Sequence, residues 1–187
     1  MKNMDLQCAL SGKSITLNEA VFFVKSPDNT LIADLNKELP GTHVCLECNE
    51  KVIAQAIEKD LFQGVLGKDL NIPGNFVDRV ALLLRKKALE MLCMAKKSGL
   101  LIFGFEKVMS ALKEENCDFI LQASDGSVGG KNKTGLNAGN IHVCGVFTSE
   151  ELGSVIGRSK VVHVMLLKGN ISMSSTLAAL IKRIESF

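Results

Sequence analysis

The stretch that decides the fold is residues 88–112, ALEMLCMAKKSGLLIFGFEKVMSAL. It begins inside a helix pattern over 79–98, which ends at Gly99, a residue suited to a helix C-terminus. The apolar run at 100–104 predicts a strand, and the pattern at 105–116 predicts a second helix. A helix, an apolar strand and a helix in this order indicate an α/β fold.

The rest of the second half continues the alternation of helices and strands. Further strands are predicted at 118–123, 141–147 and 161–167, with helices from Thr148 and near 173–185 and a polar, glycine-rich loop at 124–140. Thr148 and Glu151 have the spacing of a capping box, in which each side chain bonds the other residue's amide. We therefore expect a three-layer α-β-α sandwich with a largely buried sheet.

The first half predicts a smaller α/β unit. Residues 21–25 and 30–34 have the character of two strands joined by a turn, and 52–62 carries apolar residues at helical spacing. The glycine- and proline-containing stretch 63–77 then offers a boundary. The predicted domains are 1–65 (small α/β domain), 66–78 (linker) and 79–187 (sandwich).

Composition indicates a globular chain with an uneven charge. The 187 residues are 47% hydrophobic and 22% charged, with a net charge of +2. Residues 1–78 have a net charge of −4, whereas residues 79–187 carry 15 Lys and Arg against 9 acids, a net of +6. Any polyanion should therefore contact the second half.

The chain shows no signal-peptide pattern, and its apolar runs are shorter than the roughly 18–20 residues of a membrane span. We therefore expect a cytoplasmic protein with no membrane partner. Six cysteines without a signal peptide favour free thiols or metal ligands over disulfides. These are Cys8, Cys45, Cys48, Cys93, Cys117 and Cys144.

A zinc site is the alternative that the cysteines leave open. Cys8, His43, Cys45 and Cys48 are four ligand types that zinc accepts. Zinc signatures usually pair two closely spaced doublets, whereas Cys8 stands alone, so packed or solvent-facing thiols are the preferred interpretation. We predict no cofactor and no bound metal.

No constellation of residues predicts catalysis. The stretch 126–132, GSVGGKN, lacks the spacing of a phosphate-binding loop, and no Ser/His/Asp or Cys/His set stands out. We expect no enzyme and no small-molecule substrate.

Basic residues give the positive signal for binding. Lysines and arginines cluster around the first helix of the second half and the turn after it, at Arg79, Arg85, Lys86, Lys87, Lys96, Lys97 and Lys107. Glycines at 104, 153 and 157 mark predicted turns where backbone amides at helix starts can approach phosphate, with Lys107 and Arg158 beside them. The alternative interpretation is a solvated helix face.

The first half resembles the bacterial YlxR-type domain. The similarity lies in residues 8–12 (CALSG), 21–35 (VFFVKSPDNTLIADL) and 39–41 (LPG) before a strand and a helix. In that family an arginine and a second glycine follow the glycine and form an RNA-facing basic spot. Here Thr42 and His43 hold those positions, and the resemblance implies an RNA contact at residues 41–43.

The second half resembles the YlxQ-type branch of the kink-turn-binding ribosomal protein superfamily. The similarity lies in residues 88–112, 119–127 (FILQASDGS) and 147–166 (FTSEELGSVIGRSKVVHVML). The implied fold is the α-β-α sandwich of the kink-turn ribosomal-protein type. Both units in one chain resemble a fused form found in alphaproteobacteria, which is labelled nucleic-acid-binding and linked to transcription termination.

The kink-turn binders read RNA through an Asn-Glu pair and a nearby Lys, whereas this chain has Glu106, Lys107 and Ser110 there. We therefore expect charge-led RNA binding by a non-enzymatic protein associated with transcription termination or ribosome function. The alternative is a protein-interaction module with decayed RNA binding. The predicted RNA-binding residues are Gly41, Thr42, His43, Lys86, Lys87, Lys96, Lys97, Gly104, Phe105, Glu106, Lys107, Lys131, Lys133, Glu151, Gly153 and Arg158.

Overall fold

The computed structural model describes residues 6–114, 117–127 and 141–187, which have a mixed α/β fold. The strands are β1 (Leu6–Gln7), β2 (Ser14–Ile15), β3 (Ala20–Lys25), β4 (Leu31–Asp34), β5 (Val44–Glu47), β6 (Leu101–Phe103), β7 (Cys117–Gln122), β8 (His142–Cys144) and β9 (His163–Leu167). The helices are α1 (Glu50–Glu58), α2 (Leu61–Leu66), α3 (Phe76–Lys97), α4 (Phe105–Leu112), α5 (Ser149–Ile156) and α6 (Ile171–Ile184). None of the helices in this part of the chain combines the length and the apolar character needed to cross a membrane.

The chain divides into two compact units. The first unit holds the residues up to Arg85 together with Lys182–Phe187, and the second unit holds Lys86–Ile181. The domain limits expected from the sequence, at 1–65, 66–78 and 79–187, stay a prediction.

The first unit is built on a three-stranded antiparallel sheet. Its order is β4-β3-β5, with Phe22 of the central strand opposite Asp34 on one side and Cys45 on the other. The central strand is buried over residues 20–24, so both of its faces are covered. The two strands predicted at 21–25 and 30–34 are confirmed, and the turn between them closes through a hydrogen bond from the Ser26 amide to the Thr30 carbonyl.

The helical pattern at 52–62 forms two helices and not one. Asn49 caps α1 by accepting hydrogen bonds from the amides of Lys51 and Val52. The helical path is interrupted at Asp60, which has a left-handed backbone conformation with φ of 52°. Aspartate tolerates this conformation better than most residues, because its short side chain bonds locally. The break lets α2 direct Phe62 into the core, where its ring lies 5.0 Å from that of Phe23.

The last residues of the chain complete the first unit. The Arg183 guanidinium donates to the carbonyls of Leu17 and Asn18. The Ser186 hydroxyl donates to the Cys48 carbonyl at 2.7 Å, and the Glu50 amide donates to the Ser186 carbonyl at 3.2 Å. A buried arginine is costly unless it is hydrogen-bonded, and the carbonyls of Leu17 and Asn18 provide acceptors for Arg183.

The second unit is built on a four-stranded mixed sheet. Its order is β6-β9-β7-β8, with β7 and β8 parallel and the other pairs antiparallel. Ile120 and Met165 point to one face, where they pack with buried residues of α4. Their neighbours Leu121 and Val164 point to the opposite face and are buried as well. Both faces of the sheet are therefore covered, as the expected sandwich requires.

Candidate nucleic-acid interface

The turn from β6 into α4 leaves the start of this helix open. Gly104 occupies the N-cap position with φ of 94°, so no side chain caps the helix. A Cβ added at Gly104 would meet nothing within 4 Å. The Gly104 amide donates to the carbonyl of His163 at 2.9 Å and ties the turn to β9. The turn is thus fixed while the space in front of it is free.

The first amides of α4 have no acceptor in the described part of the chain. An α-helix leaves its first N–H groups without intrahelical partners. Val108 is the first residue of α4 whose amide is satisfied, by the Gly104 carbonyl at 3.0 Å. The amides of Phe105, Glu106 and Lys107 remain as donors at the positive end of the helix dipole.

Two cations lie against one aromatic ring beside these amides. Phe103, the last residue of β6, is partly exposed. The Lys107 Nζ lies 6.0 Å from the centroid of its ring, and the Arg158 guanidinium carbon lies 5.0 Å from it. Such contacts contribute roughly 0.5–1 kcal/mol each at exposed sites. Phe103 therefore gathers two exposed cations next to the open helix start. We call Phe103, Gly104–Lys107 and Arg158 the α4 surface.

The close packing at Gly153 places Arg158. Gly157 ends α5 with φ of 78°, and the Arg158 amide then donates to the Gly153 carbonyl at 2.9 Å. A Cβ at Gly153 would lie 2.6 Å from the Arg158 carbonyl oxygen and 2.8 Å from that of Ser159. The sequence predicted a turn at Gly153, but this glycine is buried inside α5. It allows residues 158–159 to pack against the helix because it lacks a side chain.

The start of α5 is occupied by side chains of the protein itself. The predicted capping box is confirmed: the Thr148 hydroxyl accepts from the Glu151 amide, and the Thr148 amide donates to the Glu151 carboxylate at 2.8 Å. The Asp125 carboxylate accepts from both the hydroxyl and the amide of Ser149, at 2.7 Å each. These two hydrogen bonds hold the pKa of Asp125 below its usual value. The amides of Thr148, Ser149 and Glu151 at this helix start are thus already bonded, beside a negative charge.

The predicted lysines of α3 divide into three cases. Lys96 donates to the Ile156 carbonyl at 2.9 Å and so binds the C-terminal end of α5, where a cation is favourable. Lys97 is exposed at the end of α3. Lys86 and Lys87 lie about 15 Å earlier along the same helix, at 1.5 Å per residue. The structure therefore does not gather the four lysines at one point. The predicted Lys131 and Lys133 lie outside the described residues.

The predicted contact at 41–43 lies in the first unit. Gly41 has φ of 117°, and the His43 Nε2 lies 3.3 Å from an Asp34 carboxylate oxygen. Burial raises the pKa of Asp34, but hydrogen bonds from the Leu39 and Glu38 amides and from His43 lower it overall. His43 is thus held by a buried carboxylate and does not extend into solvent.

Two residues beside these sites were not predicted from the sequence: Lys37, whose Nζ lies 5.3 Å from the Phe22 ring, and Phe103. Lys37 lies in the loop that follows β4, which ends at the buried Asp34, and it contacts the same Phe22 ring as His43 does. Phe103 had one available signal in the sequence, since it directly precedes a glycine at the junction of a strand and a helix.

The three cysteines of the first unit have different surroundings. The Cys8 Sγ accepts a hydrogen bond from the Glu47 amide at 3.4 Å, and Cys45 is partly exposed. Cys48 is buried, and burial raises the pKa of its thiol to about 11. Among the residues that the structure describes, no group of three or more His, Cys, Asp or Glu side chains is arranged to hold a metal ion. The expected absence of a bound metal stays a prediction, with zinc at Cys8, His43, Cys45 and Cys48 as its alternative.

Comparisons with known proteins give matches only among solved structures. No protein-family model matches the chain, and no curated protein matches it. A protein with unknown function from Bacillus halodurans is 28% identical over 51% of this chain and 97% of that one, with a TM-score of 0.48. A 15.5 kD RNA-binding protein from Giardia lamblia is 11% identical over 55% of this chain and 88% of that one, with a TM-score of 0.47.

Proposed function

We propose that the chain is a non-enzymatic RNA-binding protein whose contact with RNA is the α4 surface. The observation that carries the proposal is the position of Lys107 and Arg158 beside the three amides of α4 that have no acceptor in the described residues. Amides at a helix start and neighbouring cations are the groups that bind a phosphate.

The charge balance at the α4 surface favours an anion. Two exposed cations, Lys107 and Arg158, face one exposed carboxylate, that of Glu106 in the first turn of α4. Glu106 makes no hydrogen bond to the amides in the described residues, so the amides stay available to a ligand. A phosphate in this position gains the helix dipole, the amides and both cations.

A polyanion fits this surface better than a single small anion. Residues 79–187 carry a net charge of +6, so the attraction extends beyond the α4 surface. The resemblance of the two halves to YlxR-type and YlxQ-type domains supports RNA as that polyanion. The same resemblance supports work near transcription termination or the ribosome.

The function requires binding and no chemistry. Each group of the α4 surface donates a hydrogen bond, carries a charge or offers an aromatic face, and phosphate binding needs nothing more. Lys86, Lys87 and Lys97 extend the contact along α3 for an RNA longer than a few nucleotides.

The experiment is a titration of fluorescein-labelled 20-nucleotide poly(U) followed by anisotropy between 50 and 200 mM salt. We expect affinity to fall with a log–log slope of about 0.7 for each phosphate contacted, as for single strands. The double variant Lys107→Gln with Arg158→Gln should bind about tenfold more weakly and lose about one unit or more of that slope.

The matched control removes two charges elsewhere in the second unit, with Lys113→Gln and Lys160→Gln. Lys113 lies at the opposite end of α4, and Lys160 is exposed near Glu150. Equal losses in the two double variants would show that the α4 surface has no special role. Binding of poly(U) that is insensitive to salt would overturn the charge-led mechanism.

A further inference from the structure

We propose that Phe103 and Arg158 form a stacking platform for an unpaired base, so that the α4 surface selects RNA with single-stranded nucleotides. This inference rests on the proposed function and names the class of RNA that it takes. Lys107 and the α4 amides would hold the phosphate while the platform holds the base.

Phe103 differs from the other phenylalanines of the described residues in what its ring contacts. Six of them are buried in the two cores: Phe22, Phe23, Phe62, Phe76, Phe119 and Phe147. Phe187 is partly exposed but belongs to the first unit. Phe105 is partly exposed but packs edge-on against the His163 ring, with centroids 5.3 Å apart. Phe103 is partly exposed and its ring meets the two cations. It is thus placed as a surface group and not as a core group.

The space next to Phe103 is open. Gly104 follows it directly, and a Cβ there would meet nothing within 4 Å. A flat base can therefore approach the strand end without displacing a side chain of residue 104. The α4 amides lie just beyond this glycine, so the phosphate and the base of one nucleotide have separate partners on adjacent residues.

The chemistry of Arg158 suits a base better than a second lysine would. A guanidinium is planar and stacks on aromatic faces as well as carrying charge. Its carbon lies 5.0 Å from the Phe103 centroid, at the distance of a group over the ring. A base that stacks on the guanidinium extends this stack by one layer, as is common in proteins that bind single-stranded RNA.

Only unpaired nucleotides can use such a platform. In a duplex, both faces of an internal base are covered by its neighbours, whereas an unpaired base exposes a π-face. Stacking of one base on a protein side chain changes affinity by roughly five- to a hundredfold, whatever the base identity. The platform therefore predicts a preference for single strands with little preference for sequence.

The test compares a labelled 12-nucleotide single strand with a blunt duplex of the same length, by anisotropy at one salt concentration. We expect the single strand to bind about tenfold more tightly. A 2-aminopurine in the strand should lose fluorescence on binding, because stacking quenches it. Arg158→Lys keeps the charge and should weaken single-strand binding about fivefold while the salt slope stays constant.

Lys113→Arg is the matched control, since it also exchanges one exposed cation for the other, at the opposite end of α4, and should leave the preference unchanged. Phe103→Leu should act like Arg158→Lys. If the leucine variant fails to fold, Arg158→Lys, a change at an exposed residue, still decides the test. Equal binding of strand and duplex with no effect of Arg158→Lys overturns the platform and leaves the proposed function standing. Absence of RNA binding by the wild-type protein overturns both.

Discussion

The starts of α4 and α5 differ in what occupies them, although both belong to the second unit and both helices have eight residues. At α5, the Thr148 hydroxyl and the Asp125 carboxylate accept hydrogen bonds from the first amides. At α4, Gly104 offers no side chain, and the corresponding amides have no acceptor in the described residues. Of two helix starts with the same dipole, one is thus capped by side chains of the protein and the other is left open.

Under the proposed function, the difference separates a helix start with a structural role from one with a binding role. A helix start that is capped by its own protein gains stability and offers nothing to a ligand. A start that is left open forgoes that stability, which only an external partner can restore. Lys107 and Arg158, the two cations that contact Phe103, lie beside the open start of α4. Positive charge and unsatisfied donors therefore occur together at α4 and not at α5.

The largest expected effect comes from Gly153→Ala, which disturbs the part of α5 that supplies Arg158 to the α4 surface. The new Cβ would lie 2.6 Å from the Arg158 carbonyl oxygen. Overpacking of this kind costs about 3 kcal/mol, and the better helix propensity of alanine returns about 1 kcal/mol. We expect the urea midpoint of unfolding to fall accordingly, together with the affinity for RNA.

Gly145→Ala is the matched control for this change. Its Cβ would meet its nearest heavy atom, the Gln122 carbonyl oxygen, at an ordinary distance of 3.5 Å. A stability loss at Gly145 as large as that at Gly153 would contradict the packing explanation.

The next effect comes from Gly104→Asp, which gives α4 the carboxylate that α5 already has. The new side chain would cap the amides and repel a phosphate, so RNA affinity should fall about tenfold, or about 1.4 kcal/mol. Gly104→Ala carries the same backbone strain at φ of 94° without the charge. If both variants bind poly(U) equally well, the open amides take no part in binding.

The smallest effect comes from Asp125→Asn, which makes α5 more like α4. Hydrogen bonds from the Ser149 hydroxyl and amide lower the pKa of Asp125 in the folded protein. The carboxylate therefore stabilises the fold above its unfolded pKa of about 4, and this contribution is lost as the pH falls through the folded pKa.

Urea unfolding of the wild-type protein and of Asp125→Asn at pH 7 and pH 3 measures this contribution. The variant should be less stable than the wild type at pH 7, and the difference between the two should narrow at pH 3. A difference in midpoint that persists unchanged at pH 3 would show that the charge of Asp125 is irrelevant.

Local patterns in the sequence predicted helices and strands, but they did not predict which groups bond the residues at the ends of these elements. The 3.6-residue periodicity and the glycine at 99 sufficed for α3, and the spacing of Thr148 and Glu151 sufficed for the capping box. The break at Asp60 was missed, because a left-handed aspartate inside an apolar pattern has no periodic signal.

The site was harder to predict because its contacts join distant parts of the chain. Lys96 appeared in the sequence as a free cation, but it bonds the Ile156 carbonyl 60 residues later. Phe103 becomes a candidate site residue only because its ring contacts Arg158, which β9 and α5 bring to the end of β6. Sequence spacing cannot report such pairs, whereas the cluster of positive charge itself was visible from the composition of the second half.

The bonds made by Arg183 and Ser186 constrain the order in which the chain folds during translation. In the complete first unit these residues donate hydrogen bonds to the carbonyls of Leu17, Asn18 and Cys48. A growing chain that has just released β5 and α1 cannot yet make those bonds, although domains usually fold from the N-terminus first. Completion of the first unit therefore follows synthesis of nearly the whole second unit, and a nascent chain stalled inside the second unit leaves the first one unfinished.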